Sequence, residues 1–149
     1  MTSLFIDADA CPVKDEVYKV ATRYALPVFV VSNRWIRTPP IRLVSLVVVE
    51  EGPDVADDWI AVRVGPSDVV ITADIPLADR VLKAGGQALH PTGRLFTTDN
   101  IGAGLASRAI GEHLRSMGEA TGGPRAFTAA DRSKFLQSLD AAVVRARRR

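Results

Sequence analysis

Four aspartates stand where an apolar run gives way to a turn or to the start of a helical pattern. Asp7 and Asp9 follow Leu4-Phe5-Ile6, Asp74 follows Val69-Val70-Ile71-Thr72, and Asp99 precedes a long amphipathic stretch. A fifth, Asp79, lies one helical turn beyond Asp74. Carboxylates within ~4–6 Å of each other repel, which raises at least one of their pKa values. A divalent cation removes that penalty. An all-oxygen donor set suits Mg²⁺ or Mn²⁺, and Mg²⁺ commonly combines one or two carboxylates with waters and a substrate phosphate. Such a centre can activate water for in-line attack on a phosphodiester. The competing reading is helix capping, worth about 1 kcal/mol per N-cap. One aspartate alone would favour a cap. The shared position of Asp7, Asp74 and Asp99 favours a metal centre, with Asp9 and Asp79 as further ligand candidates.

Basic and amide side chains fall near the same places. Ser32, Asn33 and Arg34 follow the apolar run Val28-Phe29-Val30-Val31, and Arg37 comes three residues later. An amide and a guanidinium there can hold a phosphate, the guanidinium in bidentate fashion. Trp35 between arginines suits single-stranded nucleic acid, by charge and base stacking. Its alternative, slightly favoured, is to anchor the loop in the core. Lys14 opens the first helix, where the helix dipole disfavours a cation. It is a candidate for neutralising the aspartates or touching substrate. Cys11 precedes that helix, but neither His90 nor His113 stands at a recognisable catalytic spacing, so a buried thiol is expected. His90, before Pro91, reads as structural. Gly102 and Gly104 do not fit a dinucleotide fingerprint.

The elements that must position these residues alternate in type. Strands are expected over 3–7, 28–31, 42–49, 69–72 and 87–90, the apolar ones covered on both faces as in a parallel sheet. Helices are expected over about 13–25, 53–64, 76–83, 100–117 and 128–146. Pro12 is expected at the first turn of helix one, and Val55, Trp59, Ile60 and Val62 on the inner face of helix two. Thr98 or Asp99 is expected to cap the fourth helix, Thr128 with Asp131 the last, and Gly85-Gly86 to stop the third. Gly118, Gly122, Gly123 and Pro124 mark a loop. The pattern predicts an α/β three-layer sandwich with a mostly parallel central sheet. A strand order of 3-2-1-4-5 would set Asp7 and Asp74 across one crevice at the carboxyl ends of the strands.

The 149 residues fit one domain, 1–149, and 47% are hydrophobic. The net charge is only +2, yet Arg145, Arg147, Arg148 and Arg149 gather at the end. A basic end at about 145–149 favours polyanions, or is a solvated tail. One cysteine excludes an intramolecular disulfide, and no apolar run approaches a membrane span. A soluble cytoplasmic protein with no membrane partner is the expectation.

Phe5-Ile6-Asp7-Ala8-Asp9-Ala10-Cys11-Pro12-Val13-Lys14, Ser32-Asn33-Arg34, Thr72-Ala73-Asp74-Ile75-Pro76-Leu77-Ala78, Phe96-Thr97-Thr98-Asp99-Asn100-Ile101 and Gly122-Gly123-Pro124 occur in this order. Together they resemble the YaiI/YqxD family of bacterial proteins, across nearly the whole chain. That family is similar to PIN-like domains, whose nuclease members hold Mg²⁺ or Mn²⁺ at acidic strand ends. The resemblance implies a PIN-like fold and a metal-dependent ribonuclease site acting on RNA or other nucleic acid. Asp7, Asp74 and Asp99 map best onto the acidic positions, and Asp9 and Asp79 less closely. A typical PIN domain also carries a mid-chain acidic residue on a helix, for which Asp57 and Asp58 are the nearby candidates. Two other readings compete. Asp7-Ala8-Asp9 also resembles the first motif of haloacid-dehalogenase-like phosphatases, with Asp7 as nucleophile, Asp9 as acid/base, and Thr72, Lys83 and Asp99 in later roles. A non-catalytic RNA-binding module is the third.

Overall fold

The apolar runs pair as the alternation predicts. The computed structural model describes residues 1–102 and 127–148. Its strands are β1 (Leu4–Asp7), β2 (Val28–Ser32), β3 (Val44–Val48), β4 (Val69–Ile71) and β5 (Gln87–Leu89). They form one five-stranded sheet in the order β3-β2-β1-β4-β5, with every pairing parallel. Leu4 lies beside Val28 on one side and Val69 on the other, so β1 is central. Its run of three fully or nearly fully buried apolar residues is what a strand covered on both faces requires.

Helices α1 (Lys14–Tyr24), α2 (Val55–Ala61), α3 (Ile75–Lys83) and α5 (Ala129–Arg147) connect and cover the strands, and α4 spans the described residues 98–102. Period-two alternation splits the sheet into two apolar faces. Leu4, Ile6, Val28, Val30, Val69 and Ile71 pack with α1 and α5 through Val17, Val20, Phe135 and Leu139. Phe5, Val31, Val70 and Ala88 pack with α2 and α3 through Ile60, Leu77 and Val81. The result is the three-layer α/β arrangement expected.

Local chemistry fixes the element ends. Thr128 and Asp131 form the predicted capping box on α5. The left-handed Gly85 (φ 87°) follows α3, and a Cβ there would press on Pro66 at 3.3 Å. Other ends differ from expectation. Pro12 precedes the helix, whose N-cap is Val13, and a short 3₁₀ turn (Ala8–Ala10) intervenes between β1 and it. Val62 is 72% exposed: as the helical C-cap it lies two residues, about 200°, round the helix from buried Ile60, and so on the opposite side. The cap of α4 is Thr97, with Asn100 answering it: Asn100 N–H donates to Thr97 Oγ1 at 3.1 Å and Thr97 N–H to Asn100 Oδ1 at 2.8 Å. The continuation of α4 toward 117 and the loop holding Gly118, Gly122, Gly123 and Pro124 lie outside the described residues.

α5 is tied to both neighbours by polar contacts. Gln87 on β5 donates from Nε2 to the Ala142 carbonyl at 2.8 Å and accepts from Arg145 Nε at 3.0 Å. Asp140 accepts from Arg23 and Tyr24 at the end of α1. Glu16, 5% exposed on α1, pairs with Arg132 at 3.3 Å. No helix among the described residues is long and apolar enough to cross a membrane.

Candidate metal centre

Because all strands run parallel, the residues after β1, β2, β3 and β4 share one edge of the sheet. Asp7 ends β1, and its Oδ2 accepts from Thr72 Oγ1 at 2.9 Å. The same hydroxyl accepts from the Asp74 N–H at 2.9 Å. Thr72, 1% exposed, thus joins the ends of β1 and β4 from below. Asp74 caps α3, its Oδ1 accepting from the Leu77 N–H at 3.0 Å. Asp7 makes no capping bond. The two readings of these aspartates therefore separate for Asp7 and coexist for Asp74.

Between them and α2 lies a cavity of about 500 Å³. Its lining includes Asp7, Asp9, Asn33, Glu50, Asp54, Asp57 and Asp74, and among the described residues no Lys, Arg or His. Asp57, from the first turn of α2, hydrogen-bonds Asp74 and is pushed up to about 7. Burial is the main cause, followed by the charges of Asp74 and Asp7. The Asp7 carboxyl is also raised, by burial above all, against the lowering hydrogen bond from Thr72. Of the two mid-chain helical candidates, Asp57 lines this cavity. Asp58 instead pairs with Arg80 at 2.6 Å on the surface.

The predicted site residues divide accordingly. Asp7, Asp9 and Asp74 line the acidic cavity together with Asn33. Asp79 does not: it pairs with Lys83 at 2.8 Å along the outer face of α3, one turn too far from the strand end. Asp99 is exposed in the first turn of α4, is not its cap, and lines neither cavity described here. Lys83, needed by the phosphatase reading, is 75% exposed in its pair with Asp79. Glu50 and Asp54 were missed. The acidic run Glu50-Glu51-Gly52-Pro53-Asp54 directly after an apolar strand was the available signal.

A second cavity, of about 630 Å³, adjoins the first and shares Asp9 and Ala73 with it. Lys14, Ser32 and Arg34 line it, as does Arg132. Lys14 Nζ donates to the Cys11 carbonyl at 2.9 Å. Ser32 Oγ accepts from the Arg34 N–H at 3.3 Å. Arg37 is exposed and lines neither cavity. Trp35 is 74% exposed, so it does not anchor its loop in the core. Cys11 is buried, which pushes its thiol up to about 11 and leaves it an unreactive thiol at neutral pH. Arg147 sits at the opposite edge: it lies over the Tyr24 ring at 5.0 Å and lines a groove with Met1, Thr2 and Ser67, which precede β1 and β4.

The donor set fits a hard divalent cation in part. Among the described residues no three His, Cys, Asp or Glu side chains converge closely enough to hold an ion as placed. Two carboxylates, Asp57 and Asp74, meet, with Asp7 close enough to raise Asp57. One or two carboxylates with retained waters is the usual Mg²⁺ complement.

A family model described as the uncharacterized YaiI/YqxD family matches residues 5–145. A UPF0178 protein of Caulobacter sp. (strain K31) is 74% identical over 148 residues, 99% of this chain and 98% of that relative. UPF0178 proteins of Caulobacter vibrioides (strain NA1000 / CB15N) and Rhodopseudomonas palustris (strain TIE-1) are 67% and 56% identical, over 99% and 100% of this chain and 97% and 94% of theirs. No solved structure matches the chain. With motif order, sheet topology and whole-length relatives in agreement, the chain belongs to the YaiI/YqxD family.

Proposed function

We propose that this protein is a divalent-metal-dependent nuclease of PIN-like type that hydrolyses phosphodiesters of RNA. One observation carries the reading: carboxylates from β1, β3–α2, α2 and the start of α3 line one cavity to which the described residues contribute no basic side chain. Burying like charges together is costly unless a proton or a cation intervenes. Asp7, Asp57 and Asp74 would hold Mg²⁺ or Mn²⁺, with Asp9, Glu50 and Asp54 around them. Such an ion lowers the pKa of bound water and stabilises charge on the phosphate oxygens.

The chain's own residues supply the rest. Thr72 fixes the Asp7 carboxylate, and the Leu77 amide fixes Asp74. Asp57, raised to about 7 in the metal-free site by burial and then by the charges of Asp74 and Asp7, would give up its proton on binding the cation. Asn33 offers an amide to the substrate at the cavity rim. Lys14 and Arg34, on the far side of Asp9, offer charge to the neighbouring phosphate.

The test is cleavage of a single-stranded RNA with Mn²⁺ or Mg²⁺, with EDTA, and in Asp74→Asn. Cleavage that requires the metal and is lost in the variant supports the reading. Cleavage that persists in EDTA, or unchanged in the variant, sinks it.

A further inference from the structure

The second cavity has a composition that the metal centre does not explain. Among the described residues, the three cations Lys14, Arg34 and Arg132 stand in its wall against one carboxylate, that of Asp9. Arg132 is held there by its Nη1, which donates to the Pro12 carbonyl at 2.8 Å and to buried Glu16 at 3.3 Å. Between these charges the lining is apolar, with Ile36, Pro91 and Phe127 among it. A cavity for inorganic phosphate alone needs no apolar lining. A purely apolar ligand would leave unmatched the charges of Lys14 and Arg34, which form no ion pair among the described residues.

His90 adds a directional group to the same wall. Its Nδ1 accepts from the Thr92 N–H at 3.1 Å and lies 2.8 Å from Thr92 Oγ1. An accepting Nδ1 assigns the proton of the neutral ring to Nε2. Burial, and then Arg94, push the imidazole toward that neutral form. The cavity thus combines cationic, apolar and neutral hydrogen-bonding character.

We infer that this cavity is a nucleotide subsite, which takes the base of an unpaired nucleotide against Ile36, Pro91 and Phe127 and its phosphate against Lys14, Arg34 and Arg132. This rests on the nuclease reading for its place in the reaction: the shared wall at Asp9 and Ala73 puts the subsite next to the phosphodiester to be cleaved. The substrate is then a single strand, because a paired base has its hydrogen-bonding edge occupied and its faces stacked.

Binding in EDTA isolates the subsite from the metal centre. Adenosine 5′-monophosphate, adenosine and ribose 5-phosphate are each titrated into the full chain by calorimetry, with a six-nucleotide single strand and a duplex as competitors. The nucleotide is expected to bind at least about tenfold more tightly than either fragment. The single strand should displace it and the duplex should not. Arg34→Glu, at an exposed position whose backbone contact to Ser32 survives, should weaken binding by at least about tenfold. Lys14→Met is the second variant and should weaken it in the same direction. No binding of the nucleotide, equal binding of ribose 5-phosphate, equal competition by the duplex, or indifference to both variants overturns the subsite. Nucleotide binding in EDTA without metal-dependent cleavage would keep the subsite and remove the nuclease. Metal-dependent cleavage with unaltered Arg34→Glu kinetics and binding would do the reverse.

Discussion

Asp57 holds its proton because of where α2 places it. Its pKa of about 7 in the folded chain lies above the ordinary 3.8, so the folded state keeps a proton that the unfolded state has released. This group's contribution to stability therefore falls as pH rises from about 4 to about 7 and is level above that. Thermal melts in EDTA should show that decline, and Asp57→Asn should flatten it. The same variant should lower metal-dependent cleavage by about 100-fold, measured as initial rate on single-stranded RNA. Asp7, Asp9 and Asp74 were legible in the sequence because each directly follows an apolar strand. Asp57 was not, because it sits inside a helix. Which way that helix faces depends on the turn before it, where Gly52 (φ 147°) and Asp54 (φ 66°) take unusual backbone angles. Asp99 misled for a related reason: the cap went to Thr97 and Asn100, a pairing visible only as geometry.

At the scale of elements, strand positions and order followed from apolar runs and the parallel-sheet rule, and needed no long-range information. The docking of α5 did need it. Glu16 reads as a solvated helix residue, yet it is buried, since α5 brings Arg132 across α1. Arg132→Ala should destabilise the protein by about 2–3 kcal/mol, below the full cost of breaking a buried pair because Arg132 is 41% exposed. Glu16→Gln added to it should recover part of the loss, as read by urea unfolding. Thr128→Ala should cost about 1 kcal/mol, since it removes the capping box.

Across the described residues, the two charged cavities share one edge of the sheet. The carboxylates and the cationic cavity occupy the carboxyl ends of the strands, while Arg147 lies at the opposite edge. The basic tail suggested a polyanion contact from composition alone, which cannot say which edge a residue reaches. Arg147→Gln with Arg148→Gln should leave RNA affinity within about twofold, whereas Arg34→Gln should reduce the slope of log K against log salt by about 0.7. The cap on α3 couples this edge to the body of the fold. Asp74 gives Oδ1 to the Leu77 amide, so a cation takes it most cheaply in monodentate fashion through the other oxygen. Chelation by both oxygens would draw Oδ1 off the helix end, at about 1 kcal/mol. Ca²⁺, with six to eight oxygen ligands and frequent bidentate carboxylates, is disfavoured against the smaller octahedral Mg²⁺. If the site takes the proposed cation, the helix terminus would act as an ion filter, and Ca²⁺ should fail to replace Mg²⁺ in supporting cleavage.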